Sequence, residues 1–69
     1  MREVWQAWRT YTFNGIDYEL DYVEDGDDTY YELYDGEDCI NLGNPFYEEP
    51  TETQIKEFLI KAKILQDHV

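Results

Sequence analysis

The sequence predicts an α+β fold in which a three- to four-stranded antiparallel β-meander packs against one C-terminal α-helix. Three observations predict this fold. An Asn-Gly dipeptide joins two segments in which apolar and polar residues alternate, and short β-prone segments separated by acidic turns follow them. After Pro50, apolar residues recur at helical spacing. A chain of 69 residues is one small domain. We expect a single acidic domain over residues 1–69, with the meander at about 9–42, a linker at 43–50 and the helix at about 52–66.

The first hairpin has the clearest signature. Asn14 and Gly15 both tolerate positive φ, which a two-residue type I′ turn requires, and so short a loop fixes the register of its strands. On the side predicted to face the core, the pairs are Phe13 with Ile16, Tyr11 with Tyr18, and Arg9 with Leu20. On the other side, the pairs are Thr12 with Asp17, Thr10 with Glu19, and Trp8 with Asp21. One side is therefore apolar except for Arg9, and the other is polar and acidic.

The meander is predicted to continue through two acidic turns. The sequence indicates a loop at Glu24–Asp28, a third strand at Thr29–Tyr34, a turn at Asp35–Asp38 and a short fourth strand at Cys39–Leu42. In the third strand, alternation points Tyr31 and Leu33 inward, and Tyr30, Glu32 and Tyr34 outward. Trp5 and Trp8 either extend the first strand or lie on a short helical turn, and both alternatives stay open.

The C-terminal helix is predicted from its start signal and its apolar stripe. Thr51 followed by Gln54 resembles a capping box. The stripe that would cover the apolar side of the meander consists of Ile55, Phe58, Leu59, Ala62 and Leu65. Ile60 and Ile64 lie on another flank of the helix. They either pack under the two tryptophans or form an exposed apolar strip, a possible second interface suited to a homodimer or a partner helix.

The charge is large and unevenly distributed. The formal net charge is −12, and the stretch from Asn14 to Gln54 contains fourteen acidic residues and no basic one. Phosphate groups are bound by Lys and Arg, so this balance argues against direct contact with nucleic acid or an anionic membrane surface. No run of about 18 apolar residues and no signal-like apolar segment is present, so we expect a cytoplasmic protein.

Catalytic and metal-binding patterns are weak. Serine is absent, and the single Cys39 and single His68 do not form a zinc-ligand pattern or an internal disulfide. Twelve-residue calcium loops started at Asp25 or Asp35 place Thr29 or Cys39 at position 5, and Tyr30 or Ile40 at position 6, where glycine is required. A looser cluster of Asp25, Asp27 and Asp28 remains an alternative site for weak divalent-cation binding. We therefore predict no enzymatic activity and no cofactor.

The acidic surface is the remaining candidate for function. Asp17, Glu19 and Asp21 repeat every second residue, so they project from one side of a strand at intervals of roughly 6.7 Å. We call the side of the sheet that carries them and Glu32 the acidic face. The predicted partner-binding residues are Asp17, Glu19, Asp21, Glu24, Asp25, Asp27, Asp28, Tyr30, Glu32, Tyr34, Asp35, Glu37 and Asp38.

Such a surface suits a basic protein as partner. Regular carboxylates on a rigid sheet can imitate the charge of a nucleic-acid backbone and so occupy the basic groove of a nucleic-acid-binding protein. The alternative is a solvated acidic face with no role beyond solubility. In general character only, a small, acidic chain without serine is similar to proteins of phages and mobile elements.

Overall fold

The computed structural model describes residues 1–62 and shows a four-stranded antiparallel sheet followed by one helix. The elements are β1 (Arg2–Phe13), β2 (Ile16–Asp25), β3 (Asp28–Asp35), β4 (Asp38–Cys39) and α1 (Glu52–Lys61). The strands pair in chain order, β1-β2-β3-β4, as a meander does. The α+β class and the meander are therefore confirmed. β1 begins at Arg2 rather than near residue 9, and β4 is shorter than the expected Cys39–Leu42.

The hairpin between β1 and β2 has the register that its turn predicts. Asn14 and Gly15 adopt φ values of 53° and 77°, the left-handed conformation that a type I′ turn needs. Five of the six predicted pairs are present: Phe13 with Ile16, Thr12 with Asp17, Tyr11 with Tyr18, Thr10 with Glu19, and Arg9 with Leu20. The Asn-Gly turn thus sets which side chains share a face.

The sixth predicted pair, Trp8 with Asp21, is wrong, because β1 contains a bulge at that point. The pair that follows Arg9 with Leu20 is Trp5 with Tyr22, so the stretch from Gln6 to Trp8 lies opposite Asp21 alone. Ala7 within the bulge has a φ of 52°, and its backbone N–H donates to the Asp21 carboxylate at 2.9 Å. Trp5 and Trp8 both belong to strand β1, which settles the choice between a strand and a helical turn.

The bulge decides what the two faces carry near the start of the chain. On the face with Leu20 and Leu33, which we call the core face, the next row across the sheet is Trp5, Tyr22 and Tyr31. On the acidic face, the corresponding row is Val4, Val23 and Tyr30. Aromatic side chains therefore extend the core face beyond its buried part.

The buried core combines residues from the sheet and the helix. Its fully buried members are Tyr18, Leu20, Leu33, Ile55 and Leu59. The helix begins as predicted: the Thr51 hydroxyl accepts from the Gln54 N–H at 3.1 Å, and the Gln54 side chain accepts from the Thr51 N–H at 2.9 Å. Ile60 is partly buried and packs against this cluster. Ile64 and the predicted end of the helix at residue 66 lie outside the described residues.

The outer edge of β3 is closed by the segment that follows it. The Asn41 side chain accepts from the Leu33 N–H at 2.9 Å and donates to the Tyr31 carbonyl at 3.2 Å. Ile40 donates its N–H to the Leu33 carbonyl, and Phe46 forms an antiparallel bridge with Tyr31. At the opposite edge, β1 has β2 as its one strand neighbour among residues 1–62.

Candidate functional site

The structure divides the predicted acidic residues between the two ends of the sheet. Glu24, Asp25, Asp27 and Asp28 surround the turn between β2 and β3, whereas Asp35, Glu37 and Asp38 surround the turn between β3 and β4. In a meander these two turns lie at opposite ends of the strands. Asp17 and Asp25 are eight residues apart on β2, a span of roughly 26 Å at the usual strand rise. The acidic surface therefore has two separate ends.

Asp21 sits between these ends but is not available for a partner. Only 6% of it is exposed, and its carboxylate accepts the Ala7 N–H in the bulge. A buried carboxylate that satisfies a backbone donor stabilises the fold and has little surface left for a partner. We therefore assign Asp21 a structural role, in contrast to the exposed position that strict alternation predicts.

Glu32, opposite Asp21 in the register, is engaged as well. Its carboxylate forms an ion pair with Arg2 at 2.6 Å, and the Tyr34 hydroxyl donates to it at 3.4 Å. The Glu32 side chain is 14% exposed and that of Arg2 is 46% exposed. Arg2, which comes from the start of the chain, thus supplies positive charge in the middle of the acidic face.

The centre of the acidic face is also partly apolar. Val23 is fully buried although it belongs to this face, and its neighbours in register are Val4 and Tyr30. Tyr30 and Tyr34, predicted as exposed contact residues, are only partly exposed. A small apolar patch and an ion pair therefore interrupt the carboxylates, and the continuous acidic plate predicted from alternation is absent from the described part of the chain.

The residues that remain exposed form the two acidic ends. The first acidic end consists of Asp17, Glu19, Asp35, Glu37 and Asp38, and the second consists of Asp25, Asp27 and Asp28, with the partly exposed Glu24 beside them. Asp17 accepts a hydrogen bond from the Thr12 hydroxyl at 2.6 Å and remains exposed. An open depression runs between Arg2, Glu19, Tyr34 and Glu37. These ends hold most of the charge that a basic partner could contact.

A row of aromatic side chains on the core face is the feature that the sequence analysis missed. The ring of Tyr22 lies 5.2 Å from each of the rings of Trp5, Trp8 and Tyr31, measured between centroids. We call these four residues the aromatic row. Trp5 and Trp8 are 40% and 37% exposed. The hairpin register could have indicated this row, because the β1–β2 pairing continued past the bulge places Trp5 beside Tyr22.

Carboxylates border the aromatic row. The Tyr22 hydroxyl donates to Glu24 at 2.7 Å, and the Trp8 indole N–H donates to Glu49 at 2.8 Å. The hydrogen bond to Glu24 is the main cause that raises the pKa of Tyr22, because the neutral phenol is the donor. The polar edges of both rings are thus satisfied by acidic groups, and Trp8 and Trp5 still expose 37% and 40% of their surface.

The described residues show no arrangement suited to metal binding. Among residues 1–62, no group of three or more His, Cys, Asp or Glu side chains converges so that it could hold a metal ion. Cys39 is a free thiol whose pKa is raised mainly by burial, and it contacts the Asn41 side-chain oxygen at 3.4 Å. A thiol with a raised pKa is a weak nucleophile at neutral pH.

Comparison with known proteins leaves the family open. A scan against protein-family models gives no match, and searches of curated proteins and of solved structures give none either. Within residues 1–62, no helix has the length and apolarity needed to cross a bilayer. The surfaces of this chain are therefore the guide to its function.

Proposed function

We propose that this protein is a non-enzymatic binding module that docks onto a basic protein surface through its acidic residues. In its sharper form, the proposal is a nucleic-acid mimic of the phage or mobile-element type, which inhibits a basic nucleic-acid-binding protein. The proposal locates the protein in the cytoplasm, without a cofactor and without direct contact with nucleic acid or membrane.

One observation carries the proposal: fourteen acidic residues and no basic one between Asn14 and Gln54, eight of them exposed on the strands and turns of one sheet. Within residues 1–62, the one ion pair is that of Arg2 with Glu32. The remaining charge stays uncompensated and repels itself, which costs stability. A basic partner would remove that repulsion, and the long-range attraction would speed its association.

The scaffold supports such a role because it fixes the charges in space. The proposal includes a helix that covers the core face through Ile55 and Leu59, which share one buried cluster with Tyr18 and Leu20. The acidic turns then lie at the ends of a sheet that the helix stabilises. A pre-organised charge pattern binds with a smaller loss of conformational entropy than a disordered acidic chain.

The proposal is tested by capture of proteins from a cell lysate on the immobilised chain, at low and at high salt. We expect nucleic-acid-binding proteins to be retained at low salt, released at high salt and displaced by duplex DNA, because DNA would compete for the same basic groove. If the retained proteins are neither released by high salt nor displaced by duplex DNA, the proposal is contradicted.

Matched variants separate charge from other effects. Neutralising Asp35, Glu37 and Asp38 to Asn, Gln and Asn should weaken capture, whereas the control pair Lys56→Gln and Lys61→Gln should keep or strengthen it. Both sets change exposed residues and leave the core cluster unchanged. Equal behaviour of the two sets would show that the acidic residues do not hold the partner.

A titration with Ca²⁺ and Mg²⁺ addresses the alternative of cation binding. Under the proposal, NMR shifts of the backbone should be small and spread over both acidic ends. Saturable shifts at micromolar concentration, confined to Glu24–Asp28, would favour a cation-binding domain instead.

A further inference from the structure

We propose that the aromatic row binds arginine side chains of the basic partner. The inference depends on the proposed function, since it names the surface and the chemistry that would hold that partner. It assigns the main contact to the exposed end of the core face, around Trp5 and Tyr22, instead of to the acidic face on the opposite side of the sheet.

Large aromatic rings are exposed together at this end of the core face. Trp5 and Tyr22 are directly opposite in the register, and Trp8 lies beside them with its ring 5.2 Å from that of Tyr22. Trp5 and Trp8 each expose more than a third of their surface. Tryptophan and tyrosine are the residues most enriched at the centres of protein interfaces.

Negative charge lies beside the aromatic rings. Glu3 lies directly opposite Glu24 in the register, in the row next to Trp5 and Tyr22 on the same face. Two like charges opposite each other on a sheet destabilise it, and a cation placed between them would relieve the repulsion. Glu49 adds a third carboxylate at the edge of Trp8. The site therefore combines flat aromatic faces with negative charge, as a guanidinium requires.

The chain already makes one contact between an arginine and the aromatic row. The guanidinium carbon of Arg9 lies 5.0 Å from the centre of the Trp8 ring, and its Nη1 donates to the Trp8 carbonyl at 2.9 Å. An arginine thus already occupies one ring of the aromatic row. Among residues 1–62, Trp8 is the ring covered in this way. Trp5 is 40% exposed, and the next pair on the same face of the hairpin is Glu3 with Glu24.

These features favour arginine over lysine. A guanidinium is planar and weakly hydrated, so it stacks on an aromatic ring while it also donates to a carboxylate. A lysine ammonium is compact and strongly hydrated, and it gains less from a flat ring. An acidic surface without exposed rings would distinguish poorly between two partners of equal charge.

The test compares two short peptides of equal length and charge, one alternating Arg with Gly and the other alternating Lys with Gly. Binding to the full chain is followed by tryptophan fluorescence and by backbone NMR shifts. We expect the Arg peptide to bind roughly 2- to 5-fold more tightly, as one or two exposed cation–π contacts would give. Its shifts should centre on Trp5, Tyr22 and Glu24.

Two pairs of variants locate the site. Glu3→Gln with Glu24→Gln and Asp17→Asn with Glu19→Gln each remove two negative charges, from opposite faces of the sheet. We expect the first pair and Trp5→Leu to abolish the preference for the Arg peptide, Trp5→Phe to restore part of it, and the second pair to preserve it. Each variant is used only if its backbone spectrum matches that of the parent protein.

Three results would count against the inference in different ways. Equal affinity for the two peptides, or shifts centred on Asp17 and Glu19, would overturn the aromatic site and leave the proposed function standing. If both pairs of variants lose the same affinity for the Arg peptide and Trp5→Leu has no effect, the conclusion is the same. If neither peptide binds at low salt, the proposed function is overturned as well.

Discussion

The carboxylate of Asp21 accepts a hydrogen bond from the backbone N–H of Ala7 at 2.9 Å, across the bulge that divides β1. This contact joins two features that look unrelated in the sequence. It buries one of the acidic residues of the hairpin. It also lies at the bulge, and the strand pair on the far side of the bulge is Trp5 with Tyr22. The position of the aromatic row therefore depends on an acidic side chain.

Replacement of Asp21 with Ala should destabilise the protein by about 1–3 kcal/mol, because the Ala7 N–H would lose its acceptor in a partly buried position. Asp21→Asn should cost less, since its side-chain oxygen can still accept. Urea denaturation measures both free energies of unfolding. If Asp21→Ala were as stable as the parent protein, the carboxylate would not be what holds the bulge.

Ala7 is the second test of the bulge. Its φ of 52° lies in the left-handed region, which costs a residue with a Cβ atom about 1–2 kcal/mol relative to glycine. Part of the gain is offset by the greater freedom of glycine in the unfolded chain, so Ala7→Gly should stabilise by roughly 0.5–1 kcal/mol. Thr10→Gly, on a regular part of β1, should destabilise. A loss of stability in both variants would argue against the bulge.

The sequence predicts the regular parts of this fold and misses the bulge for a physical reason. The Asn14–Gly15 turn imposes its register locally, and the helix start is fixed by the contact of Thr51 with Gln54, so both can be predicted from neighbouring residues. The bulge depends on a hydrogen bond between residues fourteen positions apart. In an alternating pattern, a buried carboxylate such as Asp21 looks the same as an exposed one.

The candidate site shows the same limit. Both acidic turns are present because their residues favour turns locally, but each has two residues, 26–27 and 36–37, whereas the predicted bounds are Glu24–Asp28 and Asp35–Asp38. The pairing of Glu32 with Arg2 joins positions thirty residues apart, and Val23 is buried by residues of two neighbouring strands. Alternation alone carries no information about such partners, so it predicts a larger acidic face than the fold retains.

Tyr18 offers a test of the core. It is fully buried, and its hydroxyl has no hydrogen-bond partner among the described residues. Removing an unpaired buried hydroxyl should not cost stability and should add about 1 kcal/mol in Tyr18→Phe. Tyr22→Phe is the contrast, because it removes the hydrogen bond to Glu24. Thermal or urea denaturation distinguishes the two. A clear loss in Tyr18→Phe would show that the hydroxyl has an acceptor.

Charge removal should affect stability differently at structural and at exposed carboxylates. Neutralising the exposed Asp17 and Glu19 should keep or raise stability, since like-charge repulsion falls and the core is unchanged. Glu32→Gln should instead lose the ion pair with Arg2, at a cost of up to about 1 kcal/mol for a partly exposed pair.

Added salt should stabilise the parent protein by screening its repulsion over about 8–10 Å. Salt-induced destabilisation would contradict this.

Alkaline pH should weaken the fold through its tyrosines. Burial is the main cause that raises the pKa of Tyr11, Tyr18, Tyr31 and Tyr34, and the hydrogen bond to Glu24 raises that of Tyr22. Because the folded protein favours the neutral phenols, this stabilisation is full below the unfolded pKa of about 10 and is lost as pH rises through the raised folded values. Urea denaturation between neutral and alkaline pH should show the loss, and a constant midpoint would contradict it.

The closure of β3 by the Asn41 side chain limits how copies of this protein can add to one another. A sheet with two open edges can extend without end, whereas one whose far edge is already bonded to its own chain can gain a neighbour on one side only. Edge-to-edge pairing between copies would therefore use β1, where the bulge at Ala7 interrupts the row of backbone groups that a second copy could pair with. We expect the folded sheet to be a poor template for fibril growth, because one of its edges is covered by its own chain and the other is interrupted by a bulge.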